Sequence, residues 1–167
     1  SDLAVANVSW ALPGWLPGAV GRGWRVNGIA TLQSGAPFTV NLGTDRANIG
    51  TGRAQRPDMS CDPNARAPHT AAAWFDTSCF SLPAAFTFGN APRNGVRAPG
   101  YANLDAALAR TFTLQGARRL EVRWEVFNVL NRANFDVPNR IFGSANFGRI
   151  FSTGPARQMH LGVRLSF

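Results

Sequence analysis

The stretch LEVRWEVFNVLN, residues 120–131, decides how the chain is read. Leu120, Val122, Trp124 and Val126 alternate with Glu121, Arg123 and Glu125. Leu, Glu and Arg are good helix formers, so a helix has to be weighed. On a helix the charged residues at i, i+2 and i+4 would spread over most of the circumference; on a strand they share one side. The stretch therefore reads as a strand with one oily and one charged face.

Four more segments repeat the pattern. LAVANVSWAL places Ala4, Ala6, Val8, Trp10 and Leu12 opposite Asn7 and Ser9. WRVNGIATLQSG places Trp24, Val26, Gly28, Ala30 and Leu32 opposite Arg25, Asn27, Thr31 and Gln33. YANLDAALARTFTL places Leu104, Ala106, Leu108, Phe112 and Leu114 opposite Asn103, Asp105, Thr111 and Thr113. Arg110 interrupts that oily face near a segment end, where an Arg can snorkel to a polar interface. MHLGVRLSF alternates Met159, Leu161, Val163, Leu165 and Phe167 with His160, Gly162, Arg164 and Ser166. Strands are predicted near 3–12, 24–35, 101–114, 120–131 and 157–167.

The links between them alternate in length. PGWLPGAVGRG (13–23) and QGARR (115–119) are short; residues 36–100 and roughly 136–156 are long. Short links join antiparallel hairpins. Short turns at one end with long loops at the other is the arrangement of an outer-membrane barrel. The long connection 36–100 carries seven of the eleven prolines, which resists regular sheet across the whole loop and fits an ordered, irregular extracellular cap. A structureless loop of that size would be out of place in a compact soluble domain.

Composition narrows the field. The length of 167 residues suits one domain, and 17 Gly with 11 Pro suit turns more than helices. The net charge of +8 comes from scattered Arg with no Lys, so dispersed charge is read rather than a nucleic-acid surface. No apolar run approaches the ~18 residues of a membrane helix. Ser1-Asp2-Leu3 opens no signal peptide.

Which way the oily face points separates two readings. In a soluble sandwich it turns to a core; in a membrane barrel it meets lipid and the polar face lines the lumen. Trp10, Trp24, Phe112 and Phe167 lie near segment ends, where a barrel keeps its interfacial aromatics. Arg25, Asp105, Glu121, Arg123, Glu125 and Arg164 on the other face would be lumen-facing in a barrel and solvated in a sandwich. The fold expected is all-β: an antiparallel meander of about five strands with one long loop. Five strands cannot close a barrel, which takes about eight. The chain is thus expected to be the C-terminal part of a large transmembrane β-barrel, with earlier regions missing. The alternative is a soluble β-sandwich binding module for carbohydrate or another extracellular ligand.

Little catalytic chemistry is legible, and no enzyme is expected. Cys61 and Cys79 are either a disulfide across the loop in an oxidising compartment or two free thiols. They have no companion His at zinc spacing, so neither metal nor cofactor is expected. His69, Asp76 and Ser78 could make a triad by arithmetic, but no G-x-S-x-G supports one. NLGTDRANIGTGR lacks the G-K-[ST] ending of a phosphate loop. SANFGR and NRANF hold Asn, Arg and Phe that suit either sugar and peptide binding or loop packing.

The stretches GWRVNGIATLQSGAPFTV, WFDTSCF, FGNAPRNGVRAPGYANLDAALARTF, EVRWEVFNVLNRANFDVPN and GSANFGRIFSTGPARQMHLGVRLSF carry a resemblance. In order, they resemble the C-terminal end of a TonB-dependent outer-membrane receptor of the Oar-like subgroup, over nearly the whole chain. The resemblance implies a plugged barrel of about 22 strands that takes up a substrate with energy delivered by TonB. It implies outer-membrane lipid, the barrel-assembly machinery and, through an N-terminal plug, TonB as partners, in the bacterial outer membrane. It also implies that the terminal Phe167 is read as an assembly signal. It names no substrate. The Cys61/Cys79 pair stands outside the family's general pattern and would be a local staple of the loop.

Overall fold

A computed structural model describes residues 1–13, 22–50 and 55–167. In chain order the strands are β1 (Leu3–Ala11), β2 (Trp24–Gln33), β3 (Pro37–Phe38), β4 (Asn41–Leu42), β5 (Asp58–Met59), β6 (Phe80–Ser81) and β7 (Val96–Arg97). They continue as β8 (Tyr101–Thr113), β9 (Arg119–Phe127), β10 (Ile141–Phe142) and β11 (Gln158–Ser166). The only helical turn among the described residues is a 3-10 turn at Thr77–Cys79. The chain divides into two units, one of residues 2–33, 101–133 and 155–167 and one mainly of 34–100 and 134–154.

The first unit is one antiparallel sheet in the order β1-β2-β8-β9-β11. Its strands run 9, 10, 13, 9 and 9 residues. A tilted strand needs about 9–11 residues to cross a bilayer. The register aligns the alternation of every strand. Trp10, Val26, Leu108, Trp124 and Leu161 form one row across the sheet; Val8, Gly28, Ala106, Val126 and Met159 form the next. Because side chains alternate, in-register pairing fuses five half-oily strands into one apolar face. Much of that face is open: Val8 is 63% exposed, Trp10 53%, Leu161 74% and Val163 67%. A sandwich would cover these side chains.

Four predicted strands match the observed ones to within two residues. The exception is the strand predicted to run to residue 131, which stops at Phe127. Asn128 takes a left-handed φ of 52° and turns the chain out of the ladder. The short link QGARR is a tight turn closed by the Leu114 N–H donating to the Arg118 carbonyl at 2.9 Å. In the other short link, residues 14–21 lie outside the described residues.

The second unit has the order expected of 36–100 with little regular sheet, and adds a core and a second run of chain that the sequence reading did not foresee. It is folded around its own core of Phe38, Val40, Phe75, Cys79, Phe80 and Val96, with Phe142 and Phe147 packed against it. Short ladders tie it: β3 with β7 and β5 with β6 antiparallel, and β4 with β10 parallel. Phe75 meets Phe38, Phe80 and Phe147 edge-on at 5.8, 5.9 and 5.2 Å between ring centres. Edge-to-face packing is a favoured aromatic geometry and contributes beyond buried area. The backbone is equally close: a Cβ at Gly35 would stand 1.8 Å from the Ala98 carbonyl oxygen, so only glycine fits.

Candidate functional site

The charged face of the sheet brings together all six residues singled out for it. Arg25 and Arg123 flank Ala109 in one row, and Arg164 stands directly opposite Glu121. Glu125 lies between Ala107 and His160, and ion-pairs along its own strand with Arg123 at 2.7 Å. The His160 ring packs on Phe127, 5.4 Å between centres. Asp105 serves the long-link end instead. Its carboxylate accepts the Asn103 side-chain amide at 2.8 Å and the Asn128 N–H at 2.9 Å. The pattern is a polar wall with mixed charge, able to order water and guide a polar solute.

Asn128 is the knot of that end, and sequence reading missed it. It is 5% exposed, and its amide donates to the carbonyls of Arg132 (2.9 Å) and Pro155 (3.1 Å). Its side-chain oxygen accepts the Arg132 N–H at 3.0 Å. The hint available was the recurrence of Asn at 128, 131 and 134, since Asn tolerates the left-handed conformation better than other side-chain-bearing residues.

In the second unit Cys61 and Cys79 are joined by a disulfide. Asp76 lies beside it, with its carboxylate and the two sulfurs within 4.8 Å of one another. Bonded sulfurs are not thiolates and make poor metal ligands. Asp76 caps the 3-10 turn, accepting the Ser78 hydroxyl at 2.6 Å and its N–H at 3.0 Å. The His69 ring packs on Trp74 at 4.9 Å. The three residues of the arithmetic triad therefore serve a cap and an aromatic contact. In SANFGR and NRANF, Phe147 packs on the core and Phe135 packs on Trp74 at 6.3 Å, so both rings serve packing.

Asp45 organises the Gly-rich stretch. Its carboxylate accepts the N–H groups of Ile49 (3.1 Å) and Gly50 (2.5 Å) and the amide of the buried Gln55. Residues 51–54 of that stretch lie outside the described residues. The unit also holds an open hollow of about 460 Å³ lined by Leu42, Thr44, Leu82, Ile141, Phe142 and Ser144 among others. Ligand pockets fall in the range of about 300–1,000 Å³. Its walls are apolar with two hydroxyls, which suits a small, mostly apolar ligand.

Three carboxylates in this unit lie below the ordinary value of 3.8. At Asp45 burial pushes the carboxyl up, but the hydrogen bonds from Ile49, Gly50, Gln55 and Asn48 together outweigh it. At Asp62 the Asn64 N–H and side chain hold the carboxyl down. At Asp76 the Ser78 hydroxyl leads, followed by the Ser78 N–H, with a further contribution from the Arg66 charge. A lowered folded-state pKa stabilises the fold above the unfolded value and loses that contribution as pH falls through the folded one. The second unit should therefore keep its structure down to about pH 4 and loosen below it. Near-ultraviolet circular dichroism across an acid titration checks this; a flat signal through that range would refute it.

A single antiparallel sheet with an exposed oily face, a charged face, and short and long links in alternation is a portion of transmembrane β-barrel wall. Residues 2–160 match the family described as "Outer membrane beta barrel domain", and the chain belongs to that family. Its place is the bacterial outer membrane. No curated protein and no solved structure matches the chain.

Proposed function

We propose that this chain is part of the barrel of a TonB-dependent receptor that takes up a substrate across the outer membrane. The observation that carries the reading is the two-sided sheet: an apolar face suited to lipid, broken only by Arg110 among the described residues, backed by a face carrying Arg25, Asp105, Glu121, Arg123, Glu125 and Arg164, which in this reading would line the lumen. The long links support it, because they fold into a unit with its own core and an open hollow, as suits capture of a solute. The resemblance to Oar-like receptors supplies the energy source. TonB would act through a plug N-terminal to these residues. In the same reading Phe167, 95% exposed, is the residue met by the barrel-assembly machinery.

The test compares spent medium from cells with the full-length receptor, without it, and without TonB. One class of solute should be depleted only when receptor and TonB are both present. Depletion that persists without TonB would mark a passive pore and overturn the uptake mechanism.

A further inference from the structure

Arg110 is the one charged residue on the apolar face among the described residues. It lies directly across the β2–β8 ladder from Trp24, and Phe112 is the next residue on its own face. Its guanidinium carbon stands 5.0 Å from the Trp24 ring centre and 4.3 Å from that of Phe112. Both distances are within cation–π range, so the two rings hold the guanidinium between them.

The three residues sit at the short-link end. There the Thr111 N–H donates to the Gly23 carbonyl at 2.9 Å, and Gly23, at φ 83°, has no room for a Cβ against Thr111. The exposed Arg22 and Arg118 belong to the same end. Glu121, opposite Thr111, belongs to the other face of the sheet.

An Arg on the lipid side of a barrel is costly at the bilayer midplane and nearly free of cost at the interface. Trp prefers that interface too. Arg110 is thus set at headgroup depth, where the abundant anion is the lipid phosphodiester. A guanidinium matches a phosphate with two parallel N–H···O bonds. We infer that Arg110, held between Trp24 and Phe112 at the same end of the sheet as Arg22 and Arg118, binds the phosphodiester of a phospholipid headgroup at the short-turn rim of the barrel. The assignment rests on the apolar face being the lipid face.

The experiment uses the full-length protein, assembled and purified in an uncharged sugar detergent. It is titrated with phosphatidylglycerol, with a monoacylglycerol of equal chain length and with inorganic phosphate, and retained ligand is counted by native mass spectrometry. Phosphatidylglycerol should be retained, and the monoacylglycerol should not. Arg110→Gln should weaken retention about tenfold, the scale of one lost charge-assisted pair. Should that variant fail to assemble, the double variant Arg22→Gln/Arg118→Gln decides. Both of its residues lie outside the strands, and it should weaken retention severalfold. Equal retention of the two lipids, unchanged retention in the variants, or displacement by inorganic phosphate would overturn the assignment. A chain monodisperse without detergent would overturn the membrane reading itself; an assembled barrel indifferent to phosphatidylglycerol would overturn only the lipid site.

Discussion

Replacing both Cys61 and Cys79 by Ala should unfold the second unit while leaving the five-stranded sheet assembled. The bridge spans a sequence separation of 18, and one of its ends, Cys79, is 1% exposed within the aromatic core. Closing a loop of that size removes about 3 kcal/mol of unfolded-state freedom. The loss falls on a unit whose ladders are only two residues long and whose other backbone hydrogen bonds are scattered loop contacts. Truncating Cys79 also removes packing around Phe75 and Phe80. Limited proteolysis of the full-length protein in detergent checks the result. Cleavage should appear within 34–100 and 134–154, while heat-modifiable migration of the barrel persists. An unchanged cleavage pattern would show that the aromatic core suffices without the bridge.

Asn128→Leu should destabilise the sheet unit by about 3 kcal/mol or more. The substitution keeps the branching and the number of side-chain heavy atoms and deletes three hydrogen bonds to Arg132 and Pro155. Each buried group left unmet costs about 1–3 kcal/mol. Leucine at a φ of 52° adds about 1–2 kcal/mol of backbone strain. Asn128→Gly separates the two causes, because it relieves the strain but still lacks the side-chain hydrogen bonds. It should rank between wild type and the Leu variant in the temperature at which the barrel loses its heat-resistant form. A Gly variant as stable as wild type would mean that the side-chain bonds contribute nothing.

The sheet was legible because its signal is local. Each strand announces itself within ten or so residues, and the charged triplet of Glu121, Arg123 and Glu125 alone separates strand from helix. The face shared by Arg25, Asp105 and Arg164 followed from the same parity, once the strands paired in register. The second unit was not legible because its contacts are remote. Phe75 packs on Phe147, and β4 pairs in parallel with β10, so no window of sequence holds both partners. High proline content argued correctly against long strands there, and it says nothing against a core made of rings. Asn128 was missed for a different reason. Val126 and Leu130 keep the alternation going on paper, while the left-handed turn at Asn128 breaks it in space.

The second unit is made from two separate runs of chain, 34–100 and 134–154, and these are the links on either side of the β8–β9 hairpin. Folding the two runs together ties off that hairpin like a drawstring. A cut in one link does not release it, because the other run holds the severed end through shared aromatic packing and the β4–β10 ladder. The β8–β9 hairpin thereby has both of its outgoing chains anchored in one folded body.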